Sequence, residues 1–436
     1  MNSIALYKTY ISCNGVVNTD SRDKIENSLF FALKGDKFDG NLYAKAALEN
    51  GAFYAVIDNP ELAKEDHRFI LVDDTLQTLQ NLARIHRETL NTPIIAITGT
   101  NGKTTTKELI TAVLKEKYNI HYTKGNFNNH IGVPLTLLAM RKAHQLAVIE
   151  MGANHPGEIA LLTSIVKPNF GLITNVGKAH LEGFGSFEGV IKTKKELYDY
   201  IKSHPTATLF INQDDANLMT MAKGIQKRYS YSSASDKADI LGSIIDNKIN
   251  LSLSWKSKKS TTLHKIQSQL IGDYNLYNML AAITIGSYFE VEEEAIDKAL
   301  TAYQPVNNRS QLKESETNQL IIDAYNANPT SMAAAIKNFD KLESSQTKMA
   351  ILGDMRELGE DAVLEHQHII DLLTQCKNIQ HTLLIGEIFG KTNHNYTHFN
   401  TTDEFKRVIE KEPIDHHTIL IKGSNGLKLF TLIDLL

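Results

Sequence analysis

The chain has 436 residues, 46 Lys+Arg against 50 Asp+Glu for a net charge of −4, with 42% hydrophobic and 22% charged residues. That length suggests about three domains, and the composition excludes a chain dominated by disorder. The near-neutral balance also argues against broad nucleic-acid binding, which needs a basic footprint to displace counterions.

The opening stretch MNSIALYKTYISCNG has no sustained apolar segment of the kind a secretory signal requires. Short β-type runs follow at Phe30 to Leu33, Phe53 to Ile57 and Phe69 to Val72, with helix-like stretches from Asn41 to Asn50 and Asp74 to Leu90. This alternation marks an α/β unit, which Pro93 closes because it cannot continue a helix. From Ile94 a new strand–turn–helix begins, with further strands expected at 146–151, 171–176 and 207–212. Apolar runs alternating with helices predict a mostly parallel sheet covered on both faces. The polar stretch Lys256 to Thr262 reads as a solvated hairpin or loop, and the middle portion ends near Tyr303-Gln304-Pro305. Alternation resumes with LIIDAY (320–325), KMAILGD (348–354), HTLLIGE (381–387) and TILIKG (418–423), a third α/β portion. The expected domains are therefore 1–90, 91–304 and 305–436. Cys13 and Cys376 lie too far apart in sequence to suggest a disulfide framework or a four-Cys zinc site, so both are expected to be buried thiols. No apolar run approaches the ~18–20 residues that span a bilayer. The expectation is a soluble cytoplasmic monomer without membrane insertion.

The strongest local signal is IIAITGTNGKTTTK (94–107), an apolar strand entering a glycine-containing turn that opens a helix. Backbone N–H groups of such a turn, with the helix N-terminus, form an anion site. Lys103 is placed for the β/γ phosphates of ATP and Thr104 for Mg²⁺. The generic phosphate-loop pattern wants Gly where Ile97 stands, so the match is to the shorter G-x-x-G-K-T. Glu150 ends the strand LAVIE, where a metal-holding acid or an ordinary rim residue both fit. Asn275 and Asn278 fall three apart on one helical face and read equally as helix-start residues.

With these motifs in hand, the chain resembles the Mur ligases, ATP-dependent amide-forming enzymes of peptidoglycan synthesis. The resemblance runs from about Thr19 to Gly426 through TGTNGKTTTK (98–107), GNFNNHIGVPLTLL (125–138), IEMGANHPGEI (149–159) and TNVGKAHLEGFGS (174–186). Within the family, DAYNANPTSM (323–332) and GDMRELGE (353–360) resemble the member that joins D-alanyl-D-alanine to UDP-N-acetylmuramoyl-tripeptide. TDSR (19–22) and FFALKGDKFDG (30–40) resemble the segment that holds the UDP-sugar. One departure lies in KGSNG (422–426), where Asn425 replaces an arginine that many relatives carry. A neutral amide cannot supply that charge to a substrate carboxylate.

The resemblance implies a central ATP-binding domain flanked by an N-terminal UDP-sugar-binding domain and a C-terminal Rossmann-like domain. It implies that Gly99, Thr100, Asn101, Gly102, Lys103, Thr104 and Thr105 cradle ATP, with Asn275 and Asn278 facing adenine and Arg309 and Asp323 its phosphates or ribose. Thr104 and Glu150 would hold one Mg²⁺ and His180 a second, although His is an unusual ligand for so hard an ion. Lys194 aligns with a lysine that carries a carbamate; its neighbours Lys192 and Lys195 make a basic, solvated helix face the alternative. Asn128 and Asn129 would contact the UDP-linked substrate or phosphates, Ser21, Arg22, Lys34 and Gly35 the UDP-sugar, and Asn326 and Asn328 the incoming dipeptide. Asn126 and Phe127 read equally as turn and packing residues. Competing readings are another amino-acid ligase of the superfamily, or a nucleotide-switched binding module without ligase chemistry.

Overall fold

The computed structural model describes residues 2–24, 26–246, 249–305 and 308–436. In chain order the first part gives α1 (Ser3–Ser12), β1 (Val17–Asn18), β2 (Ser28–Phe31), β3 (Lys34–Gly35), β4 (Phe38–Asp39), α2 (Ala44–Glu49), β5 (Ala52–Ile57), β6 (Phe69–Leu71) and α3 (Thr75–Leu90). There follow β7 (Ile94–Thr98), α4 (Lys103–Lys115), β8 (Ile120–Tyr122), α5 (Gly132–Leu138), β9 (Leu146–Glu150), α6 (Glu158–Val166), β10 (Phe170–Ile173), α7 (Leu181–Phe184) and α8 (Phe187–Ser203). Next come β11 (Thr208–Asn212), α9 (Ala216–Met221), β12 (Arg228–Ser232), β13 (Ile240–Asp246), β14 (Asn250–Ser257), β15 (His264–Ile271), α10 (Leu276–Tyr288) and α11 (Glu293–Ala302). The last part holds β16 (Gln311–Glu314), β17 (Gln319–Asp323), α12 (Pro329–Lys341), β18 (Thr347–Gly353), α13 (Ala362–Gln375), β19 (His381–Ile385), β20 (Thr397–Phe399), α14 (Thr402–Ile409) and β21 (His417–Lys422).

These elements form two compact units. The first comprises Met1–Ile97, Tyr118–Ala153 and Gly157–Gly171; the second comprises Thr98–Lys117, Asn154–Pro156 and Leu172–Leu436. In the first unit β1, β2, β5 and β6 make a parallel four-stranded sheet, and β8, β9 and β7 pair in parallel. Helix α3 carries this unit's packing, lying against α1, α5 and α6. Asp74 starts it by accepting the Gln77 N–H at 2.8 Å, and Asn91, left-handed at φ 52°, ends it just before Pro93. Its buried Arg87 is not left uncompensated: the guanidinium donates to the carbonyls of Val166 and Lys167 and to Asn169 Oδ1.

In the second unit β10, β11, β12, β13, β14 and β15 lie side by side. The pairs β11–β12 and β12–β13 are parallel, whereas β14 pairs antiparallel with both β13 and β15. The sheet therefore ends in antiparallel strands, and Lys256 to Thr262 spans the end of β14 and the hairpin to β15. A six-stranded sheet in the order β16-β17-β21-β18-β19-β20 is parallel except for the antiparallel edge strand β16. Its core gathers Leu320, Ile322, Ile351, Ile385, Ile419 and Ile421, the apolar residues of the runs expected there. Cys13 is buried as expected, but Cys376 is partly exposed, because it caps the end of α13 rather than facing the core. No helix among the described residues is long and apolar enough to cross a membrane.

A polar cluster fastens the antiparallel edge to α11. His264 on β15 meets Asp297 at 2.6 Å through Nδ1 and Glu293 at 3.0 Å through Nε2, while Trp255 stacks on its ring and donates Nε1–H to Asp297. Burial alone would lower the His264 pKa, but the two carboxylates outweigh it and hold the value above the ordinary 6.5. A raised folded-state pKa gives stability that is fully present below 6.5 and lost as pH climbs through the folded value. The melting temperature of the native chain minus that of His264→Gln, measured by calorimetry, is therefore expected to shrink as pH rises above 6.5. A constant difference across that range would show that the carboxylates do not stabilise a charged imidazole.

Candidate functional site

The loop after β7 is shaped by two glycines in conformations that L side chains rarely adopt, Gly99 at φ 144° and Gly102 at φ 76°. A Cβ on Gly99 would fall 2.0 Å from Thr174 Oγ1, and one on Gly102 would fall 2.6 Å from Asn278 Oδ1. Neighbours therefore press on the loop from two sides, Thr174 and Asn175 on one and Asn278 on the other. Asn175 takes the Asn101 N–H on Oδ1 (3.0 Å), returns Nδ2–H to the Asn101 carbonyl (3.0 Å), and accepts the Thr100 N–H on its own carbonyl. Thr174 donates its hydroxyl to the Asn101 carbonyl at 2.6 Å. Lys103, first residue of α4, folds its ammonium over the loop and donates to the carbonyls of Gly99 (2.8 Å) and Thr100 (3.0 Å). Thr104 and Thr105 follow it in the first turn of α4, Thr104 buried and Thr105 half-buried. An array of N–H groups at a helix start with an ammonium over it is built to receive an anion.

Helix α10 backs α4. Asn275 and Asn278 do share a face, and both are buried. Asn278 donates to Asn275 Oδ1 (2.8 Å) and accepts from Thr106 Oγ1 (3.0 Å), while Asn275 donates to the Ile271 carbonyl (2.8 Å). In this structure the pair braces the phosphate loop and its helix. A second brace comes from Asn328, which starts α12. Its Oδ1 accepts the Ser331 N–H (2.9 Å), and its Nδ2 donates to Asn101 Oδ1 (2.7 Å). The loop and the YNANP segment, 227 residues apart at these two positions, are thus joined amide to amide. Asn326 is exposed on the same segment.

His180 and Lys194 approach one another around Phe184. The His180 ring meets that of Phe184 edge-on at 6.2 Å, and the Lys194 ammonium stands 5.4 Å from the same ring centre. Lys194 is only 2% exposed, so a solvated face does not describe it. Lys192 does face solvent and Lys195 pairs with Asp199. His180, left-handed at φ 51°, bonds through Nδ1 to the carboxylate of Glu357, which is itself left-handed at φ 63°. That His180 contact holds the Glu357 carboxyl below its ordinary pKa range against the opposing pull of burial. Asp323 pairs with Lys422, whose side chain is 1% exposed, and Arg309 lies flat on the Tyr325 ring at 3.6 Å.

In the first unit Glu150 ends β9 in register with Ile97, two residues before Gly99, and is 1% exposed rather than at a solvated rim. Asn128 donates to Glu150 Oε1 at 2.8 Å. Asn129 instead accepts the N–H groups of Ile131 and Gly132, fixing the turn into α5. Arg22 is exposed and clasps Asp20, Ser21 receives the Asn50 amide on its carbonyl, and Lys34 pairs with Asp58 beside Gly35 in the β3–β4 hairpin. Taken separately, the Thr104 hydroxyl in the second unit and the Glu150 carboxylate in the first are oxygen donors of the kind Mg²⁺ takes, an ion that fills the rest of its shell from phosphates and water. The nitrogen of His180 suits it less, and Lys194 could join only if its amine became an oxygen donor.

Sequence reasoning missed the bracing residues Thr174, Asn175, Thr106 and Glu357. The first two were inside TNVGKAH and the last inside GDMRELGE, but nothing in either run showed which neighbour each side chain would meet.

Three family patterns match the chain: a Mur ligase family catalytic domain over residues 15–87, the Mur ligase middle domain over 97–286, and the Mur ligase glutamate ligase domain over 308–425. The UDP-N-acetylmuramoyl-tripeptide--D-alanyl-D-alanine ligase of Bacillus subtilis (strain 168) is 35% identical, covering 95% of this chain and 91% of the relative. That of Escherichia coli (strain K12) is 31% identical, covering 94% and 91%. Among solved structures, MurF from Acinetobacter baumannii superposes with a TM-score of 0.86 at 28% identity, over 98% of this chain and 97% of that one. The MurF ligase from Thermotoga maritima in complex with ADP gives 0.84 at 24% identity over 96% of each, a likeness of fold.

The doubly constrained glycine makes the loop testable. Gly102→Ala places a side chain at φ 76° and against Asn278, costing about 1–2 kcal/mol for the left-handed backbone before any clash. Calorimetric titration with ADP is expected to show binding weakened at least about tenfold, since 1.4 kcal/mol is a factor of ten. Unchanged affinity would mean that this loop does not hold the nucleotide.

Proposed function

The chain belongs to the Mur ligase family, and on that premise we propose that the two braces on the Gly99–Thr104 loop serve amide ligation between a UDP-sugar peptide and a dipeptide. The enzyme is an ATP-dependent, ADP-forming ligase that joins D-alanyl-D-alanine to UDP-N-acetylmuramoyl-tripeptide in peptidoglycan precursor synthesis. The observation that carries the reading is the Asn101–Asn328 amide pair, which ties the phosphate loop to the YNANP segment. Nucleotide chemistry and acceptor binding then share one hydrogen-bonded framework. The boundaries 1–90, 91–304 and 305–436 are part of the proposal, supported by three successive family matches over 15–87, 97–286 and 308–425.

Amide formation from a carboxylate in water is uphill, so the tripeptide carboxylate is first phosphorylated by ATP. The dipeptide amine then attacks the acyl phosphate, and phosphate leaves from the tetrahedral intermediate. Bringing carboxylate and triphosphate together is opposed by charge, and the Lys103 ammonium offsets that repulsion at the transferred phosphoryl group. Thr104 and Glu150 offer oxygens to Mg²⁺, which when bound adds charge neutralisation. Asn275 and Asn278 hold α10 against the loop on the side assigned to adenine, and Arg309 and Asp323 are assigned to ATP phosphates or ribose. Asn128 fixes Glu150, Asn129 shapes the turn beside it, and Ser21, Arg22, Lys34 and Gly35 are assigned to the UDP-sugar. The exposed amide of Asn326 is assigned to the dipeptide, with Asn328 coupling that segment to the loop.

The purified chain supplied with ATP, Mg²⁺, UDP-tripeptide and D-alanyl-D-alanine is expected to give the UDP-pentapeptide by mass spectrometry, with ADP release that requires both peptides. Lys103→Ala should cut kcat by at least ~10²–10³ with the fold intact. ATP turnover without either peptide would instead mark a nucleotide switch.

Lys194 is assigned as a carbamylated lysine. Carbamylation needs a neutral amine, and a buried site suits it better than a solvated helix face. Its 2% exposure supports this. Carbamylation would replace a positive group with two oxygens suited to a hard cation. NMR of the protein in isotope-labelled bicarbonate is expected to show a carbamate signal absent from Lys194→Ala, whose activity acetate partly restores. No such signal, together with full activity of Lys194→Ala, would refute the assignment.

A further inference from the structure

Loops 324–328, 354–359 and 423–427 leave the carboxyl ends of β17, β18 and β21, with β21 lying between the other two strands. In open parallel sheets this is the end at which ligands bind. Two of the loops are fastened to each other. Ser424, 4% exposed, receives the Arg356 N–H on Oγ at 3.0 Å, and its own N–H donates to the Asp354 carbonyl at 3.2 Å. Asp354 is fixed in turn, its carboxylate accepting the N–H groups of Ile388 and Phe389, each at 2.9 Å. From this rigid base the Arg356 side chain runs over Gly426, where a Cβ would stand 2.4 Å from Nη1 and 2.7 Å from Cζ. The missing side chain at 426 leaves the space that the guanidinium fills.

An arginine laid down for structure alone ordinarily meets a carboxylate. Arg356 is exposed, and among the described residues it forms no ion pair. The buried cation nearby in sequence, Lys422, is already matched by Asp323. A planar fork of donors is therefore presented at the ligand end of the sheet beside the neutral side chain of Asn425. We propose that Arg356 binds the C-terminal carboxylate of the incoming dipeptide. The proposal rests on the ligase reading above. A guanidinium suits a carboxylate because its parallel N–H bonds fix both position and plane. The next residue, Glu357, holds His180, so the loop carrying Arg356 is tied directly to residues 180–182. On the neighbouring loop the Asn326 carbonyl accepts from Lys422 at 3.4 Å, which keeps the third loop at the same end.

The test is steady-state kinetics with UDP-tripeptide, ATP and either D-alanyl-D-alanine or its C-terminal amide, on the native chain, R356A, N425R and R356A/N425R. Loss of a charge-assisted pair is expected to raise the dipeptide KM about 10- to 100-fold in R356A. The ATP KM should stay within about twofold, because the interaction is with the dipeptide alone. The native chain should favour the acid over the amide, R356A should treat them nearly alike, and R356A/N425R should recover the preference. An unchanged dipeptide KM, an undiminished preference in R356A, or an equal rise in the ATP KM would overturn the proposal. A double variant no better than R356A would overturn the placing of the carboxylate beside positions 356 and 425. Failure of the ligase reading is distinguishable, since the native chain would then make no dipeptide-dependent product at all.

Discussion

The side chains that brace the phosphate loop from neighbouring segments are neutral, and that constraint orders the second unit around the loop. Asn175, Thr174, Asn278 and Asn328 brace the loop and its helix without a single carboxylate among them. A carboxylate could pin the same backbone, but it would repel the phosphates the loop must admit and would compete for Lys103. Amides and hydroxyls fix geometry while leaving the positive potential of the N–H array and ammonium intact. Each such bond contributes only about 0.5–1.5 kcal/mol net. Several together are enough to hold two glycines in conformations that would otherwise relax. The charged pairs lie one layer out, Lys178 with Glu365, Lys422 with Asp323 and His180 with Glu357.

That outer layer explains the positions of the strained residues. His180 and Glu357 both adopt left-handed backbones without being glycine, and they meet each other. Such conformations cost of order 1–3 kcal/mol and persist where surrounding contacts over-determine them. Here the Glu182 N–H also donates to the Glu357 carbonyl, and Lys178 donates its N–H to Thr330 Oγ1 and its ammonium to Glu365. The turn carrying His180 is therefore stitched at several points to the segments following β17 and β18, which also carry Asn328 and Arg356. The YNANP segment, the loop carrying Arg356 and the residues around the phosphate loop belong to one connected network.

Sequence displayed the buried parallel strands clearly, because β9, β11, β18 and β21 are apolar runs that need both faces covered. It hid β14 and β15, whose burial alternates and whose outward faces carry Ser, Lys and Gln, and β13, whose last four residues are all exposed. A polar alternating strand resembles a loop until its neighbours are known. The anion site was legible for the opposite reason: strand, glycines, lysine and helix are consecutive, so local geometry suffices. Asn328 was legible only through family likeness, and its partnership with Asn101 depends on a fold that closes 227 residues. Arg356 and Gly426 show the same limit, since a glycine that makes room for a distant guanidinium looks like any other glycine.

The lysines of α8 mark where the chain said more than composition revealed. Taken as a run, Lys192, Lys194 and Lys195 look like one basic surface. Taken on a helical wheel they separate, because each residue turns about 100°. Val190, Lys194, Leu197 and Ile201 recur at the spacing of a buried face, and all four are buried, while Lys192 is exposed and Lys195 reaches the acid one turn on. A lysine in that row occupies a place where leucine would pack better, and burying its charge costs several kcal/mol unless it is compensated or neutral. A helical period of apolar residues broken by one buried lysine is the form in which the sequence recorded the burial of Lys194.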